Sequence, residues 1–177
     1  ALAQDRKAYW ERLKRHDIVF EGNIFVDKQT LPQVKLPLIA KLFPNAKIIF
    51  ALRDPRDVVF SCFRRHFRVN EAMFEFLDLE DAARFYASIM ELSEVYREKL
   101  PLNILDHRYE DMVMDFGGRV RAVCDFLGVE WSDSMAEFDK HAPAVDLRSP
   151  SATQVRKPLY AGAMAQWRRY QAQLAPI

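Results

Sequence analysis

Two short stretches stand out from the sequence around them, the mostly apolar Lys47-Ile-Ile-Phe-Ala-Leu52 and the mixed Asn103-Ile-Leu-Asp-His-Arg108. Both read as strands, and the first, mostly apolar, as a buried one. A shorter run, Asn23-Ile-Phe-Val26, reads as a strand ending at Asp27-Lys28. Between and around them apolar residues recur at helical spacing. Residues 3–16 read as a helix with Tyr9, Trp10 and Leu13 on one side. Pro37 to Phe43 reads as a short helix closed by Pro44-Asn45, and a further helix runs from Pro55 to about Phe67. Asp78 caps a long helix reaching about Lys99, with Ala82, Phe85, Tyr86, Ile89, Leu92 and Tyr96 on one face. A helix over about 118–127 stops at Gly128, the chain from Trp131 on is loop and short helix, and a final helix covers about 161–174. Strands alternating with helices predict an α/β fold, a parallel sheet covered on both faces.

Composition narrows the possibilities without naming one. The 177 residues suffice for one ordinary domain, half of them are apolar, and 29% are charged. A net charge of +1 gives no basis for non-specific nucleic-acid binding. No apolar run is long enough for a transmembrane helix, and the first residues lack signal-peptide architecture. Cys62 and Cys124 are too far apart for metal-ligand spacing and read as buried thiols rather than a disulfide. The four histidines show no ligand spacing either, so no metal is expected. The chain starts inside a helix without a methionine, so residues 1–177 read as one domain that is the C-terminal portion of a larger one.

Chemistry concentrates at the end of the run 47–52. Arg53 sits where that strand stops, Asp54 is placed to cap the next helix, and Pro55 occupies its first position. Asp57, Ser61, Arg64, Arg65 and Arg68 share one helical face, while Val59, Phe60, Phe63 and Phe67 face elsewhere and pack. Such a face is either a solvated polar surface or an anion site. In the second reading Arg53 and Arg65 supply guanidinium forks and Ser61 a hydroxyl, a combination suited to a phosphomonoester. The segment 149–160 gathers hydroxyls, an amide and the cations Arg156 and Lys157 between two prolines, as a polar loop or as one folding over an anion. Lys28, just beyond a short strand, is either a solvated charge or a cation at the strand-end crevice. Glu110, at another strand end, is placed to orient nearby cations.

Taken in order, several of these pieces resemble the sulfotransferases that use 3′-phosphoadenosine 5′-phosphosulfate, in the branch holding bacterial enzymes fused to helical repeats and tyrosylprotein sulfotransferases. The matching stretches are Val26-Asp-Lys28, Leu42-Phe-Pro-Asn-Ala46, Arg53-Asp-Pro-Arg-Asp57 with Ser61, Arg108-Tyr-Glu-Asp111, and Ser151-Ala-Thr-Gln-Val-Arg-Lys-Pro158 with Trp167. The resemblance implies a P-loop-NTPase-like three-layer α/β/α fold without its first strand and phosphate loop. It implies that Arg53 and Ser61 hold the cofactor's 3′-phosphate with Arg65 assisting, and that Tyr109 lies beside the adenosine. It implies that Ser151, Gln154, Arg156 and Lys157 belong to a loop closing over the nucleotide. Lys28 then stands as the catalytic cation, at the oxygen bridging phosphate and sulfuryl group, in a loose in-line transfer.

Two features depart from that pattern. The family's Gly-rich phosphate turn is missing, since Gly117-Gly118 at a helix start lacks the accompanying Ser/Thr or Lys. The usual glutamate or histidine base lies near that missing part. Gln166, before Trp167, replaces a cation common in relatives. The leading reading is thus a sulfotransferase, or a fragment inactive alone, acting on a hydroxyl of a peptide, carbohydrate or small molecule. The alternatives are a non-catalytic nucleotide-phosphate-binding module derived from one and, disfavoured by the missing Gly-Lys-Ser/Thr loop, a P-loop kinase relative. A helical-repeat domain before residue 1 and a cytoplasmic location complete the expectations.

Overall fold

The computed structural model describes residues 1–15, 24–29, 31–65, 71–141 and 161–175. It is a mixed α/β structure in which two strands, β1 (Lys47–Leu52) and β2 (Asn103–Arg108), pair as a parallel sheet. Both strands fall where the sequence predicts them. The expected third strand is absent: residues 24–29 have no regular structure, and Ile24 and Val26 are 52% and 70% exposed. A four-residue apolar run forms a strand only where a neighbouring strand pairs with it, and among the described residues the sheet holds only β1 and β2.

β1 is less buried than its composition suggests. Phe50 is buried, whereas Lys47, Ile49 and Ala51 on the opposite face are exposed. The pattern is that of a strand covered on one face among the described residues.

The helices are α1 (Leu2–Lys14), α2 (Leu36–Leu42), α3 (Pro55–Phe63), α4 (Glu71–Phe74), α5 (Leu79–Lys99), α6 (Tyr109–Met114), α7 (Phe116–Leu127), α8 (Phe138–His141) and α9 (Gln171–Leu174). Local chemistry sets most of their ends. Asp54 caps α3 by accepting from Arg56 N, with Pro55 in the first turn. Asp78 Oδ1 accepts from Glu80 N and Asp81 N at the start of α5. α7 stops at Gly128, whose φ of 80° is a left-handed value that suits glycine. At its other end Asp115 accepts from Gly118 N, and a Cβ on Gly118 would collide with that carboxylate. The Gly117-Gly118 pair is therefore a helix cap and cradles no phosphate.

Two helices depart from expectation. α3 ends at Phe63, not near Phe67, because its last turn tightens, with Arg65 N bonded to Cys62 O at 3.2 Å. The predicted helix over 161–174 breaks into 3₁₀ turns at Ala161–Ala163 and Gln166–Tyr170 followed by α9, with Ala165 at φ 53°.

The chain forms two compact units. In the first, Ala1–Ile48 with Ile89–Asn103, Tyr9, Trp10, Phe25 and Phe43 form an edge-to-face aromatic cluster, and Leu36, Ile89 and Ser93 are buried. Ser93 satisfies its hydroxyl on Ile89 O at 2.7 Å. In the second, Ile49–Ser88 with Ile104–Ile177, the core includes Phe50, Val59, Phe60, Ala82, Cys124 and Leu174. Each large apolar side chain there contributes about 1.5–3 kcal/mol. Cys62 and Cys124 are both free thiols; Cys124 is buried as expected, whereas Cys62 is only half-buried. Phe63, expected to pack, is 41% exposed at the frayed end of α3.

Candidate functional site at the end of strand β1

Arg53 and the residues that contact it lie in the second unit. β1 delivers Arg53 to the N-terminus of α3, and its side chain turns inward, 24% exposed. One amino group, Nη2, donates to Ala163 O at 2.5 Å and lies 3.7 Å from Asp57 Oδ2. The guanidinium carbon sits 5.2 Å from the Tyr109 ring centroid. A further donor, Nε–H, is buried without a hydrogen-bond partner. A buried, unpaired N–H on a permanent cation is costly unless an acceptor arrives, and an anion is the acceptor that fits best.

The neighbours strengthen that reading. Burial pushes the half-buried Cys62 thiol up, while Arg65 and Arg53 both pull it down. The two arginines named from the sequence therefore act on one point of α3, beside Ser61. Ser61 and Arg65 are half-buried, so the α3 face is no solvated stripe; Arg64 on the same face is exposed.

The greatest surprise on that face is Asp57. Its side chain is fully buried, Oδ1 accepts the Trp167 backbone N–H at 2.9 Å, and Oδ2 takes no hydrogen bond. Around it the segment Ala163–Tyr170 is fastened to α3 at several points. Arg56, held by two hydrogen bonds to Asp54 at 3.0 and 2.8 Å, lies 3.5 Å from the Trp167 ring centroid. Arg64 donates to Gln166 Oε1 at 2.7 Å, and Gln166 Nε2 donates to Gly162 O at 2.8 Å. Phe60 and Tyr170 meet at 4.4 Å between centroids. Gln166 thus serves as a bridge where a cation would have been repelled by Arg64.

Glu110 does not orient a cation. Its Oε1 accepts the Asp54 backbone N–H at 2.8 Å, and Oε2 is buried without a partner. The first turn of α6, just after β2, thereby holds the cap of α3. Tyr86 of α5 faces this junction: burial raises its phenol pKa, Asp54 raises it further, Arg108 opposes, and Glu110 adds.

Lys28 belongs to the first unit. It is exposed, between Asp27 and Gln29, whose side chains meet: Tyr9 Oη and Gln29 Nε2 both donate to Asp27 Oδ2, each at 2.9 Å. Burial, with help from Asp27, pushes the Tyr9 phenol up to about 12. Ser151, Gln154, Arg156, Lys157 and Arg68 lie outside the described residues. Among the described residues no cluster of acidic, histidine or cysteine side chains would hold a metal. No helix of the described residues is long and apolar enough to cross a membrane.

The sequence singles out Arg53, Ser61, Arg65 and Tyr109 as candidates but gives no sign of the tie from Asp57 to Trp167. What it does offer is the i, i+4 spacing of Arg53 and Asp57, which predicts an ion pair.

An arginine with an unpaired buried donor, set beside a capped helix at a strand end, is an arrangement chemically suited to an anionic ligand. A family model described as the sulfotransferase family matches residues 1–133, and the chain belongs to that family. Protein-tyrosine sulfotransferase 1 of Danio rerio is 27% identical over 151 residues, covering 82% of this chain and 42% of that protein. Protein-tyrosine sulfotransferase A of Caenorhabditis elegans is 26% identical over 133 residues, 73% of this chain and 34% of that protein. An uncharacterized protein of Aquifex aeolicus is 28% identical over 141 residues, 79% of this chain and 18% of that protein. The chain spans less than half the length of these relatives.

Proposed function

We propose that the site around Arg53 holds the 3′-phosphate of 3′-phosphoadenosine 5′-phosphosulfate, and that the whole protein transfers a sulfuryl group to a hydroxyl acceptor. The observation that carries this reading is the buried Arg53 Nε–H, unpaired at the end of β1. Family membership supports the transfer chemistry. The bound nucleotide supplies the activated sulfuryl group.

In this reading Arg53 and Arg65 neutralise the 3′-phosphate, Ser61 adds a hydroxyl donor, and Tyr109 flanks the adenosine. Ser151, Gln154, Arg156 and Lys157 close over the nucleotide. Lys28 is the proposed cation at the oxygen between the phosphate and sulfuryl groups, where developing charge needs it. The named relatives make a protein tyrosine the first acceptor to try. Because the 177-residue sequence has no Gly-rich phosphate turn, we expect it to bind nucleotide without transferring sulfate by itself.

The test is selectivity. Adenosine 3′,5′-bisphosphate should bind at least about tenfold more tightly than adenosine 5′-monophosphate, which lacks the 3′-phosphate. Equal affinities for the two would remove the basis for the reading.

A further inference from the structure

A helix running unbroken through residues 163–167 would bond the Trp167 N–H to the Ala163 carbonyl. Neither group makes that bond. Ala163 O accepts from Arg53, and the Trp167 N–H goes to Asp57. Arg53 and Asp57 are themselves one helical turn apart, with Nη2 and Oδ2 at 3.7 Å. The ion pair therefore stands between the two ends of one missing helical hydrogen bond. Ala165, at φ 53°, takes up the resulting bend.

We infer that Asp57 is a positioning residue for the anion site, joining Arg53 and the segment Ala163–Trp167 into one linked arrangement so that anion binding and segment docking depend on each other. Capping the Trp167 N–H needs only a neutral acceptor. A fully buried carboxylate with its second oxygen turned to Arg53 does more, because that charge also orients the guanidinium. The segment then rests on α3 through Arg56 against Trp167 and Phe60 against Tyr170. The ligand half of this inference rests on Arg53 being the 3′-phosphate contact.

Hydrogen exchange of the peptide 161–174, read by mass spectrometry in the 177-residue chain, tests it. Saturating adenosine 3′,5′-bisphosphate is expected to slow that exchange about tenfold in the wild type. In Asp57→Asn, which keeps the cap on Trp167 but discards the charge, the bound nucleotide leaves exchange unchanged. Equal protection in both proteins overturns the inference, as does a wild-type segment indifferent to bound nucleotide. A residue with a purely structural role would not separate nucleotide binding from nucleotide-dependent protection.

A ligand-free measurement keeps the linkage testable apart from the nucleotide reading. A segment this short is marginal as an isolated helix, so freeing it raises its exchange. Arg53→Gln and Asp57→Asn are each expected to speed exchange of 161–174 about tenfold, with peptide 116–127 unchanged, and the double variant to exceed neither single one. Effects that multiply in the double variant overturn the linkage. Failure of the wild type to bind the bisphosphate sinks the nucleotide reading and leaves the linkage to this second measurement. Should Asp57→Asn fail to fold, Arg53→Gln alone decides: faster exchange supports the linkage and unchanged exchange overturns it.

Discussion

Glu110 Oε1 accepts the backbone N–H of Asp54 at 2.8 Å, so the residue that caps α3 is itself held from the first turn of α6, which follows β2 directly. The N-terminus of α3 and the guanidinium in front of it are thereby fixed to both strands of the sheet. Replacing Glu110 with alanine leaves the Asp54 N–H without its acceptor. Urea unfolding is expected to show a loss of about 1–3 kcal/mol, with Glu110→Gln, which keeps an acceptor, closer to wild type. Equal stability of all three proteins would contradict this role.

Hydrogen bonding to Arg56 holds the Asp54 carboxyl below its ordinary range, against the opposing effect of burial. The stability this contributes is complete above the ordinary aspartate pKa and disappears as pH falls through the lowered folded value. Asp54→Asn keeps a good cap but discards the charge. Its stability deficit against wild type should hold steady from neutral pH to about pH 5 and shrink below about pH 4. A deficit that grows on acidification would contradict the pairing.

Much of this junction was legible beforehand. An apolar run followed by Arg-Asp-Pro specifies strand, turn and capped helix from local chemistry alone, and β1, β2 and the start of α3 lie where that chemistry puts them. Arg53, Ser61 and Arg65 could be singled out for the same reason. Segments whose conformation depends on distant partners were not legible. Residues 161–174 have helical composition, yet Arg53 and Asp57 take the backbone groups a helix would use. Residues 24–26 have strand composition but no strand pairs with them among the described residues. Glu110 looked like a partner for cations because the sequence shows its charge and not the amide it faces.

Backbone conformation gives two substitutions of opposite sign. Ala165 is in the left-handed region at φ 53°, where a Cβ is strained. Ala165→Gly should raise stability by about 0.5–1 kcal/mol, despite the added freedom of the unfolded chain. Gly128→Ala, at φ 80°, should lower it by about 1 kcal/mol. Thermal unfolding of the two variants checks both, and a destabilised Ala165→Gly would contradict the bend described for this segment.

Cys62 reports on the field of the two arginines. Burial raises its pKa, and Arg65 followed by Arg53 lowers it, so removing Arg65 should leave less thiolate. Alkylation of the Cys62 peptide by iodoacetamide at about pH 8 should slow roughly threefold in Arg65→Gln. Unchanged or faster alkylation would place Arg65 away from the site.

The central claim is that Arg53 grips a nucleotide 3′-phosphate, and calorimetric titration of wild type and Arg53→Ala tests it most directly. Wild type should prefer adenosine 3′,5′-bisphosphate to adenosine triphosphate. Arg53→Ala should lose about 1.5–3 kcal/mol of bisphosphate affinity, roughly tenfold or more, with little change for adenosine 5′-monophosphate. Bisphosphate affinity unchanged in Arg53→Ala, or a wild-type preference for the triphosphate, would contradict the account.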